Sequence, residues 1–322
     1  MTQQVFISQR EKFWDEFEAA VLGGRKNLRK KASWFPQGYR ELTGDLNTAK
    51  AHGFDPFIIE RLNSLVLEGS QILYASRSLS LKAVADFILR IFPQAVRSHW
   101  RSLAAATLLF YGLAFFFGVL CVKNPSMVFL LLGEDKIQGL EEMYDPSSLH
   151  YLEPRDVSSD ADMFGFYIYN NISIAFRTFA GGILGGVGSV FLLCANGVFL
   201  GAASAHIINA GFGETFFPFI IGHGSFELTA ICLSAQAGFL LGYRFFVTGG
   251  LSRSASVKLA GKTALPIIAG AAFMLVVAAC IEAFWSSRFA TPAYVRYGAG
   301  AAGWVLLAFY FIFVGRKNEP RS

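Results

Sequence analysis

Long apolar stretches fill the C-terminal two-thirds of the sequence, and short polar segments separate them. The first stretch, residues 103–122, contains no charged residue and is long enough for a helix to cross the roughly 30 Å hydrocarbon core of a bilayer. Further stretches follow at residues 164–185, 187–208, 216–243, 263–284 and 297–315. The pattern predicts an all-α fold, a polytopic transmembrane helix bundle of about six spans within residues 102–316.

The region around residues 164–210 also fits other arrangements. Asn170, Asn171 and Arg177 interrupt its first half. An interfacial helix followed by one long span would have such an interruption, and so would a half-helix that enters the membrane and returns. Hydropathy alone therefore leaves five and six spans both open.

The distribution of charge favours six spans. Cytoplasmic segments of membrane proteins are enriched in Lys and Arg. The N-terminal segment, residues 244–262 and Arg316-Lys317 are basic, whereas the loop 123–162 holds nine acidic and three basic residues. Only an even number of spans keeps every basic segment in the cytoplasm. We therefore predict cytoplasmic termini, with a short tail at residues 317–322, and an acidic extracytoplasmic loop.

The N-terminal part of the chain, residues 1–78, has the pattern of a small helical domain. Apolar residues recur at helical spacing in residues 5–31 and again from Pro56 to Arg77, with a third helix between them around residues 39–46. Polar residues separate the apolar positions throughout, so this segment predicts a cytoplasmic helical head rather than a span.

Residues 79–101, between the head and the first span, have one apolar and one basic face. Pro93 should kink a helix here because it has no N–H to donate. A basic amphipathic helix directly before a span is typical of an interfacial segment, an elbow that lies on the membrane surface. An ordinary helix of the bundle is the alternative.

Composition agrees with a membrane protein. The chain is 53% hydrophobic and 16% charged, against about 25% charged in soluble domains, and its mean hydropathy is +0.43. The excess of basic residues does not indicate nucleic-acid binding, since no basic stripe interleaved with aromatic residues is present. The lipid bilayer is the expected surrounding, and no cofactor is expected.

Ionisable and amide side chains within spans are costly and are candidate functional groups. They are Asn170, Asn171, Arg177, Asn196, His223, Glu227 and Glu282. His223 and Glu227 are four residues apart and share one helix face, and most of the set falls in the outer halves of the predicted spans. We expect one intramembrane polar cluster.

Three roles remain open for this cluster: fixing helix packing, lining a proton or solute path, and forming a metal or catalytic centre. His223 and Glu227 supply two metal ligands, with His206 a candidate third, whereas zinc needs three or four. No HExxH motif and no nucleophile beside a base is present. We predict no catalytic residue and no metal site, and an enzyme is the least favoured class.

Glycines within the apolar stretches predict close helix packing, because small residues let backbones approach one another. They are Gly181, Gly182, Gly185, Gly186, Gly197, Gly201 and Gly224. Their density around residues 181–188 lies in an apolar segment and does not form a phosphate-binding loop.

An ordered set of short motifs resembles the stage II sporulation protein M family. They are Tyr39-Arg40, Asp45-Leu46, Leu62-Asn63, Asn170-Asn171, the glycines of 181–188, Asn196-Gly197 with Gly201, His223-Gly224 with Glu227, and Ile281-Glu282-Ala283-Phe284. By position, Asn196, His223, Glu227 and Glu282 would match the family's recurrent polar residues.

The resemblance implies a multi-pass protein of a bacterial cytoplasmic membrane or an archaeal membrane. The sporulation member anchors peptidoglycan-degrading partners during engulfment, while many relatives occur in organisms that form no spores. The extended head and the acidic loop of this chain fit that wider group better. We therefore expect a non-enzymatic subunit that scaffolds membrane or envelope partners, with a homo-oligomer open, and a permease as the alternative.

Overall fold

A computed structural model describes residues 2–22, 34–74, 81–147, 157–287 and 291–316. Every regular element in these ranges is helical, which confirms the predicted all-α fold. The chain divides into two compact units, Met1–Ser80 and Leu81–Ser322.

The first unit, here called the head, is a three-helix domain with its own core. Its helices are α1 Gln3–Leu22, α2 Phe35–Ala51 and α3 Pro56–Tyr74. Trp14, Phe17, Leu42 and Leu62 are fully buried between them. The parts of the predicted helices beyond Leu22 and Tyr74 lie outside the described residues.

An ion-pair network on the head joins α1 to α3. One guanidinium nitrogen of Arg61 lies 2.7 Å from Asp15 and 2.8 Å from Glu18. The hydrogen bond to Glu18, followed by the hydrogen bond to Asp15, raises the pKa of Arg61. The pairs are partly exposed, so each contributes little to stability.

The second unit contains the apolar helices. They are α6 Trp100–Lys123, α9 Val157–Ala180, α10 Val187–Ala210, α11 Gly213–Phe246, α12 Arg253–Ile281 with a π-helical turn at Glu282–Ser286, and α13 Ala293–Phe313. Shorter helices precede and follow α6: α4 Leu81–Asp86, a π-helical turn Phe87–Ile91, α5 Phe92–Ser98, α7 Ser126–Leu132 and α8 Glu134–Tyr144.

Six of these helices have more than 20 residues. Five of the six are also apolar enough to cross a membrane, judged by length and composition, and the exception is α9. The helix α9 has 24 residues, as many as α6, but carries Asp160, Asp162 and Arg177. Hydropathy therefore separates it from the others, although its length, at about 1.5 Å a residue, would suffice to cross the bilayer.

Contacts between distant parts of the chain require α9 to cross as well. Arg97 donates to the carbonyl of Phe311 at 2.8 Å, and Gln94 donates to that of Gly315 at 2.7 Å. The start of α6 and the end of α13 thus lie at one end of the bundle, here called the elbow end. An even number of crossings must separate them, so the described helices form six crossings with α9 included.

Contacts along α9 agree with a full crossing. In its first half, Phe164 packs on Phe284 of the π-helical turn that follows α12, with ring centroids 5.6 Å apart. At its end, the carbonyl of Thr178 accepts a hydrogen bond from Ser189 at 2.6 Å, close to the start of α10. The end of the bundle that carries α7 and α8 is here called the loop end.

The predicted elbow is a chain of three segments rather than one surface helix. Phe92 and Val96 of α5 are buried in the core of the bundle. Leu81 and Leu89, before them, remain exposed. The π-helical turn ends at Ile91, two residues before Pro93, which has no N–H to donate to the carbonyl four residues back.

Glycines set the spacing between the long helices. A Cβ on Gly182 would overlap the backbone of Gly238, and one on Gly201 would overlap the carbonyl of Ala114. Gly197 is equally close to α6, because a Cβ there would lie 2.6 Å from the carbonyl of Phe110. At these positions the segment after α9 packs on the backbone of α11, and α10 packs on the backbone of α6, which is the close approach that small residues allow.

The glycines of 181–188, predicted to pack helices closely within an apolar segment, lie largely in a turn. Residues Gly181–Ile183 form a short 3-10 turn, and Gly185 and Gly186 have φ angles of +65° and +85°. Left-handed backbone of this kind favours glycine. These glycines build the tight turn between α9 and α10. Gly224 also differs, since only ordinary contacts from Ile220 and Leu228 of its own helix lie near it.

Candidate functional site

Three ionisable side chains meet in the bundle. His223 and Glu227 lie one turn apart on α11, and Glu282 opens the π-helical turn of α12. His223 Nε2 lies 3.6 Å from Oε2 of Glu227 and 3.9 Å from Oε1 of Glu282. The three residues, here called the His-Glu-Glu cluster, place ligand-type atoms within 4.8 Å of one another.

The cluster sits nearer the loop end than the elbow end. His223 is ten residues from the start of α11, which corresponds to about 15 Å along the helix axis. Glu282 follows the last α-helical residue of α12, Ile281. The ionisable groups were predicted to lie in the outer halves of the spans. In the structure, the His-Glu-Glu cluster lies in the half of the bundle nearer the loop end.

The π-helical turn shapes the α12 side of the site. It carries both Glu282 and Ser286, and the Ser286 Oγ lies 3.3 Å from Nδ1 of His223. Single π-helical turns within α-helices are frequent at functional sites. Gly222 permits the close approach of α12, since a Cβ there would lie 2.7 Å from the ring of Trp285 and 2.9 Å from Ser286 Oγ.

The side chains of the cluster are largely removed from water. His223 is 4% exposed and Glu282 8% exposed, whereas the Glu227 side chain keeps 21% of its surface. The ring of Phe219 packs edge-on against the imidazole of His223, with centroids 5.3 Å apart. Burial of a carboxylate is costly unless other charges or hydrogen bonds compensate it.

A buried arginine that the sequence analysis did not select lies beside the cluster. Arg296, in the first turn of α13, is 3% exposed and donates to the carbonyl of Ser286 at 3.2 Å. Arg296 was not among the candidate residues because the last span was predicted to begin at residue 297. A basic residue directly before a predicted apolar stretch was the signal that could have identified it.

The other predicted members lie apart from the cluster. Arg177 is exposed in the last turn of α9, toward the elbow end. Asn196 donates to the carbonyl of Leu192 on its own helix at 2.7 Å. Exposed Asn170 donates to buried Asn171 at 3.2 Å. Sequence position gave the depth of these groups but not the face of the helix on which each lies.

His206 is not the third ligand of the cluster. Its Nε2 lies 2.8 Å from Oε1 of Glu141, a contact that joins α10 to α8 at the loop end. Glu282 takes the third place beside His223 and Glu227 instead. The set contains one imidazole and two carboxylates, which are ligand types that divalent metal ions accept.

An apolar layer underlies the cluster on its elbow side. Between the cluster and α5, the shared core of α11 and α12 consists mostly of aliphatic and aromatic side chains, including Leu233, Ile267 and Met274, and Ser234 of α11 is buried there with its hydroxyl donating to the carbonyl of Ala230. The buried amide of Gln236 donates to the carbonyls of Val96 and His99 at 3.0 and 3.1 Å. Among the described residues, no charged side chain is buried between the cluster and α5.

These features define a multi-pass α-helical membrane protein with a polar cluster near one end of its bundle. A family model described as Stage II sporulation protein M matches residues 106–287, from α6 to the end of the π-helical turn. The match covers more than half of the chain, and the chain belongs to this family. The predicted resemblance is confirmed.

The head matches a separate family model. Residues 4–75 fit a domain of unknown function (DUF8413), which covers α1 to α3. Searches among curated proteins and among solved structures gave no significant match.

Proposed function

We propose that this chain is a non-enzymatic subunit of a bacterial cytoplasmic membrane that scaffolds partner proteins of a cell-envelope complex. The apolar layer beneath the His-Glu-Glu cluster carries this proposal. A permease needs a polar path through the membrane, whereas the described helices pack mostly around aliphatic side chains where such a path would continue, and the buried Ser234 and Gln236 there donate to backbone carbonyls. A scaffold needs only a stable bundle and surfaces for its partners.

The α7–α8 segment offers a surface of this kind at the loop end. Its core residues Val128, Leu132 and Ile137 pack on α10. Phe129 and Leu130 of α7 are exposed, and so are the acidic side chains of Glu134, Asp135 and Glu142 on α8. An ordered hairpin with exposed apolar and acidic groups suits a basic protein partner, since opposite charges favour encounter and apolar contacts add affinity.

Cross-linking in intact cells, followed by purification of the full chain, tests the scaffold. We expect a defined envelope protein to be recovered with the wild type and lost with a Glu134→Lys, Asp135→Lys, Glu142→Lys variant. The matched control reverses two exposed charges of the head, Glu60→Lys and Glu68→Lys, and should leave this partner bound. Equal recovery with both variants would argue against docking on α7–α8.

A permease remains the second candidate, and the partial exposure of Glu227 favours it. Proton and solute flux into liposomes that contain the purified chain separates the two functions. The scaffold predicts flux no greater than in empty liposomes. Flux that disappears in Glu227→Gln, with the fold intact by circular dichroism and gel filtration, would establish transport and overturn the scaffold.

A further inference from the structure

We propose that His223, Glu227 and Glu282 bind one divalent transition-metal ion, zinc being the best-fitting probe. The inference concerns binding and is independent of the proposed scaffold function. It rests on the spacing of the ligand atoms, on the partner of the second histidine nitrogen and on charge.

The spacing of the ligand atoms suits an ion better than direct contact. The separations of 3.6 and 3.9 Å from His223 Nε2 exceed the length of a hydrogen bond. Zinc lies about 2.1 Å from nitrogen and oxygen ligands, so two ligands of one tetrahedral ion are about 3.4 Å apart. The three ligand atoms lie within 4.8 Å of one another. To share one ion, the separations between them would have to shorten by between a few tenths of an ångström and about 1.4 Å.

The second nitrogen of the imidazole is already occupied. His223 Nδ1 lies 3.3 Å from Oγ of Ser286, on the opposite side of the ring from the two carboxylates. Histidines that bind metals commonly use the other ring nitrogen in a hydrogen bond that fixes the tautomer and the ring orientation. If Nδ1–H donates to Ser286, then Nε2 presents its lone pair toward Glu227 and Glu282.

Charge supports a divalent ion at this place. Two ionised carboxylates beside a neutral imidazole carry a charge of −2, which a buried site does not tolerate without compensation. Arg296, which donates to the carbonyl of Ser286, brings one positive charge close to the cluster, against the two negative charges of ionised carboxylates. A divalent cation would neutralise both carboxylates and join α11 to α12. The Glu227 side chain, 21% exposed, leaves a side from which water could complete the coordination.

Metal content of the full-length chain in nanodiscs, after chelation and dialysis against Zn²⁺, tests the site. We expect one tightly held zinc ion per chain, and a higher unfolding temperature with Zn²⁺ than with chelator. Co²⁺ should substitute and give the intense visible absorption of low-coordinate cobalt. His223→Gln, Glu227→Gln and Glu282→Gln should each weaken Zn²⁺ binding by about tenfold or more, the size of effect that even outer partners of metal sites have.

The chain contains a matched control in His206 and Glu141, a second His–Glu contact at the loop end. His206→Gln should retain zinc with wild-type affinity. Ser286→Ala keeps all three ligands and should weaken binding less than His223→Gln does. If a ligand variant does not fold, the zinc content and the Co²⁺ spectrum of the wild type decide by themselves. Wild-type chain without stoichiometric zinc, or zinc binding that survives His223→Gln and is lost in His206→Gln, would overturn the proposal.

Discussion

Asp45 joins α1 to α2 in the head through a single carboxylate oxygen. Its Oδ2 accepts from Arg10 Nε and from Trp14 Nε1, each at 2.8 Å, while the indole of Trp14 is 1% exposed. The second acid that Arg10 reaches, Glu41, lies 3.5 Å away with 45% of its side chain exposed. Because Trp14 is buried, only Asp45 matters for satisfying its N–H.

Asp45→Ala should destabilise the head by about 1–3 kcal/mol, because it leaves the buried indole N–H of Trp14 without its acceptor. Hydrogen exchange of the full-length chain measures this, and the amides of α1 and α2 should lose protection. Glu41→Ala removes a weak, exposed ion pair and should change protection by less than about 0.5 kcal/mol. Equal effects of the two variants would mean that surface charge, rather than the buried hydrogen bond, stabilises the head.

The polar cluster shows what spacing along the sequence can and cannot predict at the residue scale. The four-residue spacing of His223 and Glu227 places them on one helix face wherever the helix lies. Glu282 was identifiable as an acid within an apolar stretch. Its pairing with His223 depends on how α12 packs on α11, and the exposure of Arg177 depends on the rotation of α9. Neither the packing of α12 on α11 nor the rotation of α9 about its axis follows from the positions of single residues in the sequence.

At the scale of elements, the contact between α6 and α10 depends on glycine. A Cβ on Gly201 would overlap the carbonyl of Ala114 and lie 2.9 Å from the amide nitrogen of Gly118. Both neighbours are backbone atoms, so no side chain can rotate to make room. The helices must then separate along their length.

Gly201→Ala should therefore lower the stability of the purified protein by about 1–3 kcal/mol, the usual cost of overpacking a core. Gly112→Ala, on α6, is the matched control because nothing lies within 4 Å of its added Cβ. It should be neutral or stabilise the helix by up to about 1 kcal/mol, since alanine is the better helix former. Thermal unfolding in one detergent compares the two. A loss of stability in Gly112→Ala as large as in Gly201→Ala would contradict the backbone contact.

Element boundaries show where pattern reasoning fails. The density of glycine predicted close packing, and Gly182 and Gly201 lie against the backbones of neighbouring helices. The same composition is equally compatible with a turn, and the positive φ angles of Gly185 and Gly186 place one there. Residues 79–101 have an amphipathic pattern that suits either a membrane surface or a neighbouring helix. Packing of Phe92 against the bundle decides for α5, and before it Phe87 packs on the same core while Leu81 and Leu89 stay exposed.

At the scale of the whole molecule, the crossing number follows from charge before any contact is known. An even number of spans is required to keep the basic segments in the cytoplasm. The hydrogen bonds from Arg97 and Gln94 to the end of α13 independently require an even number of crossings. Hydropathy by itself selects five helices, because α9 carries polar residues that face its neighbours or the surface. Charge distribution thus predicted what hydropathy did not.

The role of α9 can be tested with single cysteines in a background from which the native cysteines have been removed. Gly139 in α8 and Ser254 at the start of α12 are both exposed, and α9, α10 and α11 lie between them. Three crossings place the two positions on opposite sides of the membrane, whereas two crossings, with α9 lying in the interface, place them on the same side. A membrane-impermeant maleimide applied to intact cells should therefore label Gly139→Cys and leave Ser254→Cys unlabelled until the cells are opened.

Arg316→Cys is separated from Ser254 by two crossings in either arrangement, so it should behave as Ser254→Cys does and reports that the membrane was intact. Labelling of Gly139→Cys and Ser254→Cys from the same side would remove α9 from the crossings and contradict the even count on which the cytoplasmic placement of both basic ends depends.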